Sequence, residues 1–105
     1  MNAQNKDGIA ALSVATFHNN LEVVHALLHH DGVNVNAKDR NGDTALLTAC
    51  GKGYLHVVRA LLNHDGVGVN AGNDDGNTAL LVASYEGHLE VVRALLNHNG
   101  FNVNA

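Results

Sequence analysis

The sequence predicts an all-α solenoid in which three helix–turn–helix repeats stack side by side and carry β-turn or hairpin fingers. The first observation is a period: the chain divides into three copies of 34 residues, at 4–37, 38–71 and 72–105. The second is that glycine, leucine, Val-Val and Asn-Ala recur at matching places in the copies. The third is that the copies contain short segments with the apolar spacing of a helix. Such a period is typical of repeat proteins, and a single domain over residues 1–105 is predicted.

The middle copy shows how one repeat is expected to fold, beginning with a turn and a first helix. Residues 39–43 contain an Asn-Gly dipeptide, which favours a tight turn because both residues tolerate a positive φ. Thr44 follows and supplies a hydroxyl for the helix N-cap. The small and apolar residues from Ala45 to Lys52 predict a short helix. Gly53 ends that helix, since glycine readily takes the left-handed conformation that follows many helices.

A second helix is predicted from about Tyr54 to Asn63, where apolar residues recur at helical spacing. Gly66 stops this helix, and residues 67–70 are expected to be extended and to lead into the next turn. Both helices are short, so a single copy cannot bury its own apolar face. Stacking against neighbouring copies provides that burial, which is the reason such repeats form solenoids.

Several stretches of the sequence carry a resemblance to a known repeat family. The run Gly-x-Thr-Ala-Leu-Leu-x-Ala occurs at 42–49 and 76–83, and Gly-His-Leu-Glu-Val-Val occupies 87–92. With Leu-Leu-x-x-x-Gly and a following Val-Asn-Ala, these runs resemble the ankyrin repeat over all of the chain after residue 3. The resemblance implies a non-enzymatic protein whose turn tips and first helices line a concave groove that binds partner proteins.

Four departures from the ankyrin pattern bear on stability. The proline that opens the family's first helix is alanine in every copy, and its histidine is replaced by Ser13, Leu47 and Leu81. Each copy is one residue longer than the family's usual length of about 33, and we place the extra residue in the turn after the second helix. In the first copy Asn19 replaces the glycine between the helices, and asparagine is the next best residue for a left-handed conformation.

Composition and charge narrow the class of protein. The formal net charge is −4 and no basic cluster occurs, which argues against nucleic acid as a partner. No apolar run approaches the roughly 20 residues that cross a bilayer, and no signal peptide is recognisable, so no membrane association is predicted. Cys50 is the single cysteine, which excludes an intramolecular disulfide and suits a reducing, cytoplasmic compartment. The resemblance places Cys50 where the family has a small residue packed between helices, so a buried structural thiol is expected.

Differences between the second and third copies predict where a partner protein binds. Most core positions are identical in the two copies, as is the turn glycine. The differences cluster at 38–41 and 43 of the turn, against 72–75 and 77, and at the end of the first helix. Charge along these positions changes from mixed or basic at Lys6, Arg40 and Lys52 to acidic at Asp74 and Glu86. The alternative is that they are solvated surface positions that vary without function. The predicted partner-binding residues are Lys6, Asp7, Ile9, Phe17, His18, Arg40, Asn41, Asp43, Lys52, Asp74, Asp75, Asn77, Tyr85 and Glu86.

The chain has eight histidines, but their arrangement predicts neither a metal site nor a catalytic centre. His30, His64 and His98 recur in the turn after the second helix, where stacked repeats hold them too far apart to share an ion, so a scaffold role is expected. His25 and His29 form an i, i+4 pair, yet two ligands alone do not make a zinc site. A histidine-based metal protein is the weaker alternative. No phosphate-binding loop or nucleophile motif occurs, so no cofactor and no catalytic residue are predicted.

The end of the array motivates a prediction of self-association. The third copy carries the same apolar stripe as the second, at Leu89, Val91, Val92, Leu95 and Leu96, without a polar capping repeat after it. End-to-end association of copies is therefore expected. The same feature suggests a part of a longer array or an engineered protein, and it keeps open the alternative of a structural or designed repeat scaffold without a natural ligand.

Overall fold

The structure is a computed structural model that describes residues 9–30 and 32–98, and within these it contains six α-helices and no strand. The first helix of each pair packs on the second, and each pair packs on the next pair along the chain. The predicted all-α array of three stacked helix pairs is confirmed. The helices are α1 (Ile9–Phe17), α2 (Leu21–Leu28), α3 (Ala45–Lys52), α4 (Leu55–Leu62), α5 (Ala79–Glu86) and α6 (Leu89–Asn97).

Local chemistry sets both ends of α3 and the end of α1, as predicted, whereas Thr78 before α5 makes no side-chain cap bond. The Thr44 hydroxyl oxygen accepts a hydrogen bond from the backbone N–H of Leu47 at 3.3 Å, which satisfies one of the N–H groups that the first turn leaves unpaired. Gly53 follows α3 with a φ of 73°. Asn19 takes the same left-handed conformation after α1, with a φ of 57°, and is the only non-glycine residue in the described ranges to do so.

The chain between repeats differs from the prediction at one place. Residues 67–70 are predicted to be extended, but Val69 and Asn70 lie in a turn, across which the N–H of Ala71 donates to the carbonyl of Gly68 at 3.4 Å. The turn carries the Val69 side chain into the core, where it is 6% exposed. The chain therefore enters the next repeat through a turn that buries Val69, and not through an extended segment.

One continuous apolar core runs through all three repeats, and Val24, Val57, Leu61 and Leu95 lie fully buried in it. Cys50 is also fully buried, which confirms the predicted structural thiol. Among the described residues no helix is long and apolar enough to cross a membrane.

The prediction of end-to-end association takes the apolar stripe of α6 as having nothing to pack on, and for Val91, Val92 and Leu95 this is wrong. Val91 and Leu95 are 1% and 0% exposed and Val92 is half-buried, because α6 packs against both α4 and α5. Leu89 and Leu96 are 58% and 49% exposed. The helical spacing of the stripe is correct, but only these two leucines face outward.

Candidate partner-binding surface

Each finger between repeats is a turn organised by one side chain. The carboxylate of Asp39 accepts hydrogen bonds from the backbone N–H groups of Asn41 at 2.9 Å and Asp43 at 3.0 Å. The backbone N–H of Asp39 also donates to the carbonyl of Asp43 at 2.9 Å. Asn73 forms the same set of bonds in the next finger. These bonds fix the backbone of each tip, whose central residues then point to solvent.

Neighbouring fingers contact each other directly. The side-chain amide of Asn73 donates to the carboxylate of Asp43 at 3.0 Å. Gly42, with a φ of 79°, lies so close to the next finger that a Cβ there would come within 2.8 Å of the backbone nitrogen of Asp74. Asp43 was predicted to bind a partner, but it is half-buried and already bonded to the adjacent finger.

Most of the other predicted residues are exposed on the finger tips and at the ends of the first helices. Lys6, Asp7 and the side chain of Ile9 lie outside the described part of the chain. Tyr85 is 88% exposed, more than Phe17, the other aromatic residue of the set. The exposed predicted residues are Phe17, His18, Arg40, Asn41, Lys52, Asp74, Asp75, Asn77, Tyr85 and Glu86.

Phe17 and Lys52 form a contact between the first and second repeats. The Lys52 ammonium lies 4.2 Å from the centroid of the Phe17 ring, and His18 packs edge-on against the same ring with centroids 5.3 Å apart. At an exposed site a cation over an aromatic face contributes about 0.5–1 kcal/mol. Phe17 is still 52% exposed, so the ring remains available to a partner. Sequence reasoning missed this pair because the two residues meet only through the packing of α1 on α3.

The exposed charges of this surface form no ion pair within residues 9–30 and 32–98. The ion pair found there joins Arg93 to Glu90 on α6 at 3.5 Å, outside the predicted surface. Positive charge lies on the second repeat and negative charge on the third. The charged residues concerned are Arg40, Lys52, Asp74, Asp75 and Glu86.

Histidines join successive repeats at the ends of the second helices. Nε2 of His64 donates to the carbonyl of Leu28 at 3.1 Å, and Nε2 of His98 donates to the carbonyl of Leu62 at 2.8 Å. These carbonyls belong to the last turns of α2 and α4, where no partner exists within the helix. The predicted scaffold role of His64 and His98 is confirmed, and the partner in each case is the preceding repeat.

Asn36 and His88 form further bonds between repeats. The Asn36 side chain donates to the carbonyl of Gly66 at 2.7 Å and accepts from the N–H of Gly68 at 2.6 Å. His88 donates from Nε2 to the carbonyl of Gly51 at 3.0 Å, near the end of α3. Polar side chains at these positions are therefore used to hold the stack together.

The surroundings of the His25–His29 pair and of the Cys50 thiol favour structural roles over metal binding or catalysis. Nδ1 of His29 donates to the backbone carbonyl of His25 at 2.7 Å, and the backbone N–H of His29 donates to the same oxygen. No three metal-binding side chains converge anywhere in the described ranges. Burial raises the pKa of the Cys50 thiol from 9.0 to about 12, so at neutral pH the thiol is protonated and a poor nucleophile.

Comparison with known protein families agrees with this geometry. A family model for ankyrin repeats matches residues 12–105 in three copies. None of the curated proteins compared with the chain matches it. Ankyrin repeats are in general protein–protein interaction modules and are typically non-enzymatic. The family match covers most of the chain and coincides with the three stacked helix pairs, so the chain belongs to the ankyrin repeat family.

Proposed function

We propose that the chain is a non-enzymatic module that binds a partner protein through its groove surface, the concave surface of finger tips and first-helix ends. The observation that carries the proposal is the contrast between two sets of polar groups. Asp43, Asn36, His64 and His98 are bonded to neighbouring repeats. The finger tips and helix ends instead present exposed charges and rings without ion pairs in the described residues. Arg40 lies among these exposed charges.

Aromatic and arginine side chains supply much of the binding energy in protein interfaces. Tyr85 is 88% exposed and Phe17 is 52% exposed, so each ring has surface left to bury. Loss of one well-placed aromatic or arginine side chain commonly costs about 2 kcal/mol or more of binding free energy. Phe17, Arg40 and Tyr85 are the proposed anchors.

The charge distribution defines the polarity of the proposed partner. A partner segment that places acidic residues against Arg40 and Lys52, and basic residues against Asp74 and Glu86, complements the surface along its length. Such complementarity speeds association and excludes partners of the wrong polarity.

The test is affinity capture from a cell extract with two matched chains. The groove variant carries Arg40→Ala, Lys52→Ala, Asp74→Ala and Tyr85→Ala, all at exposed positions. A protein captured by the parent and lost by this variant, with an unchanged melting temperature, is the expected result.

The control variant carries the same number of alanines on the exposed side of the second helices, at His56, Arg59, Glu90 and Arg93. It is expected to capture the partner as well as the parent does. If the groove variant captured the partner as well as the parent does, binding through the groove surface would be refuted. If none of the three chains captured a protein, the result would favour a scaffold without a natural ligand.

We also infer that residues 1–105 act as one domain and that the protein works in a reducing, cytoplasmic compartment. The continuous core through the described repeats supports the first inference. The free, buried thiol of Cys50 supports the second.

A further inference from the structure

We propose that copies of the chain associate head to tail, with the trailing face of one copy docking on the leading face of the next. The trailing face is defined by Leu81 and Leu96 in the third repeat. The leading face is defined by Val14 and Val23 in the first repeat. The proposal concerns the two ends of the described stack, and it shares only His18 and Tyr85 with the groove surface.

Equivalent leucines show that the trailing face has the composition of a covered surface. Leu28 and Leu62 are 7% and 6% exposed, whereas Leu96 at the matching position is 49% exposed. Leu47 is 2% exposed, and Leu81 at the matching position is 53% exposed. The covered leucines lie on helices that pack against a following repeat. The trailing face therefore fits another repeat of the same kind.

The leading face shows the complementary pattern in valines. Val57 and Val91 are 0% and 1% exposed, and Val23 at the matching position is 42% exposed. Val82 is half-buried, and Val14 at the matching position is 55% exposed. Val82, whose methyl group lies beside Gly51 of the preceding repeat, and Val91 thus have counterparts of identical type on the first repeat. This identity makes a second copy of the chain the occupant.

A hydrogen bond of the internal stack can be repeated between copies. His98 donates to the carbonyl of Leu62 in the preceding repeat. His30 holds the matching position in the first repeat, is exposed, and has no side-chain hydrogen bond with residues 9–30 and 32–98. In a head-to-tail pair, His30 of the second copy donates a hydrogen bond to the carbonyl of Leu96 in the first copy. This bond is the equivalent of the one from His98 to the carbonyl of Leu62.

The trailing face differs at one position from the matching surface of the second repeat, which the third repeat covers. A Cβ on Gly51 would lie only 3.0 Å from a valine methyl group of α5, and the third repeat has Tyr85 at this position. The first repeat shows how a ring fits there, because Phe17 holds the same position and lies beneath Lys52. Between copies, His18 takes the place of Lys52 over the Tyr85 ring.

The two faces differ from each other and lie at opposite ends of the stack. Docking one on the other leaves a leading face free at one end and a trailing face free at the other. Such a heterologous contact does not close on itself, so it produces chains of increasing length, whereas a twofold contact would stop at a dimer.

The experiment is sedimentation velocity of the parent and three variants over a concentration series up to about 1 mM. The trailing-face variant carries Leu81→Glu and Leu96→Glu, and the leading-face variant carries Val14→Glu and Val23→Glu. His56→Glu, on the exposed surface of α4, controls for added negative charge. Circular dichroism verifies that each variant keeps its helices, as expected for substitutions at exposed positions.

The parent and the control are expected to form a growing series of oligomers, and each face variant alone to associate at least about tenfold more weakly. A mixture of the two face variants is expected to form a 1:1 dimer and nothing larger, because it contains one intact leading face and one intact trailing face. A monomeric parent at every concentration would overturn the proposal. Dimers formed by one face variant alone, or association unaffected by either pair of substitutions, would overturn it as well.

Discussion

Replacing Leu47 by alanine is expected to destabilise the fold far more than the same replacement at Leu81. The two leucines hold matching positions in the first helices of consecutive repeats, and the residues before them are identical back to Thr44 and Thr78. They differ in that Leu47 is 2% exposed and Leu81 is 53% exposed. The pair therefore measures what stacking of a following repeat contributes at a single side chain.

The magnitude follows from burial. Fully burying a leucine side chain is worth about 1.5–3 kcal/mol, and Leu81 keeps roughly half of that burial, so Leu81→Ala is expected to cost about 1 kcal/mol. At Leu47 the cavity left between α3 and α5 adds to the transfer term, and the total is expected to be about 2–5 kcal/mol. The ratio of the two losses is thus roughly threefold.

The assay is urea unfolding followed by circular dichroism, at a protein concentration low enough to keep every chain monomeric. The midpoint and the denaturant dependence are compared for the parent and both variants. A smaller denaturant dependence in Leu47→Ala would show that the third repeat separates before the other two. Equal losses of stability at the two positions would refute the claim that contact between repeats is the main source of burial.

Three further predictions concern fingers, loops and pH. In thermal unfolding, Gly42→Ala should lower stability by about 1–3 kcal/mol more than Gly76→Ala. Both glycines have a positive φ, but only Gly42 contacts the next finger, so equal losses of stability would contradict that contact. Asn36→Ala removes two hydrogen bonds between repeats and should lower the free energy of unfolding in urea by about 1–2 kcal/mol. The control Asn63→Ala, at an exposed position, should lower it by less than about 0.5 kcal/mol. The Cys50 pKa is about 12 in the fold against 9.0 for a free thiol, so both states are protonated below pH 9 and the thiol then adds no pH dependence. Above pH 9 the unfolded state loses its proton first, and stability should fall by about 1.4 kcal/mol per pH unit relative to Cys50→Ala, which parallel urea titrations of the two chains would measure.

The helices could be predicted from the sequence because their signals act over a few residues. The Thr44 hydroxyl reaches a backbone N–H three residues away. Gly53 and Asn19 take a left-handed conformation that glycine, which lacks a Cβ, and asparagine tolerate better than other residues. Exposure of most finger-tip and helix-end residues, such as Arg40 and Tyr85, could also be predicted, because the three copies differ at these places.

Contacts between repeats could not be predicted, because they depend on how far one repeat is displaced against the next. The period places Asp43 on a finger but does not show that Asn73 of the next finger reaches it. It places His64 after a helix but does not identify the carbonyl of Leu28 as its partner. The burial of Val91 has the same origin, since helical spacing defines a stripe without showing which part of it a neighbour covers.

The side-chain hydrogen bonds between repeats all span a similar stretch of chain. From Asn36 to Gly66 at one extreme and from Gly51 to His88 at the other, the partners are 30 to 37 residues apart. The chain entropy lost in closing each of these loops is therefore nearly the same, and it does not grow with the number of repeats. A duplicated copy of residues 38–71 would lengthen the protein without giving any residue a more distant partner, so relative contact order would fall and folding should not slow as the array grows.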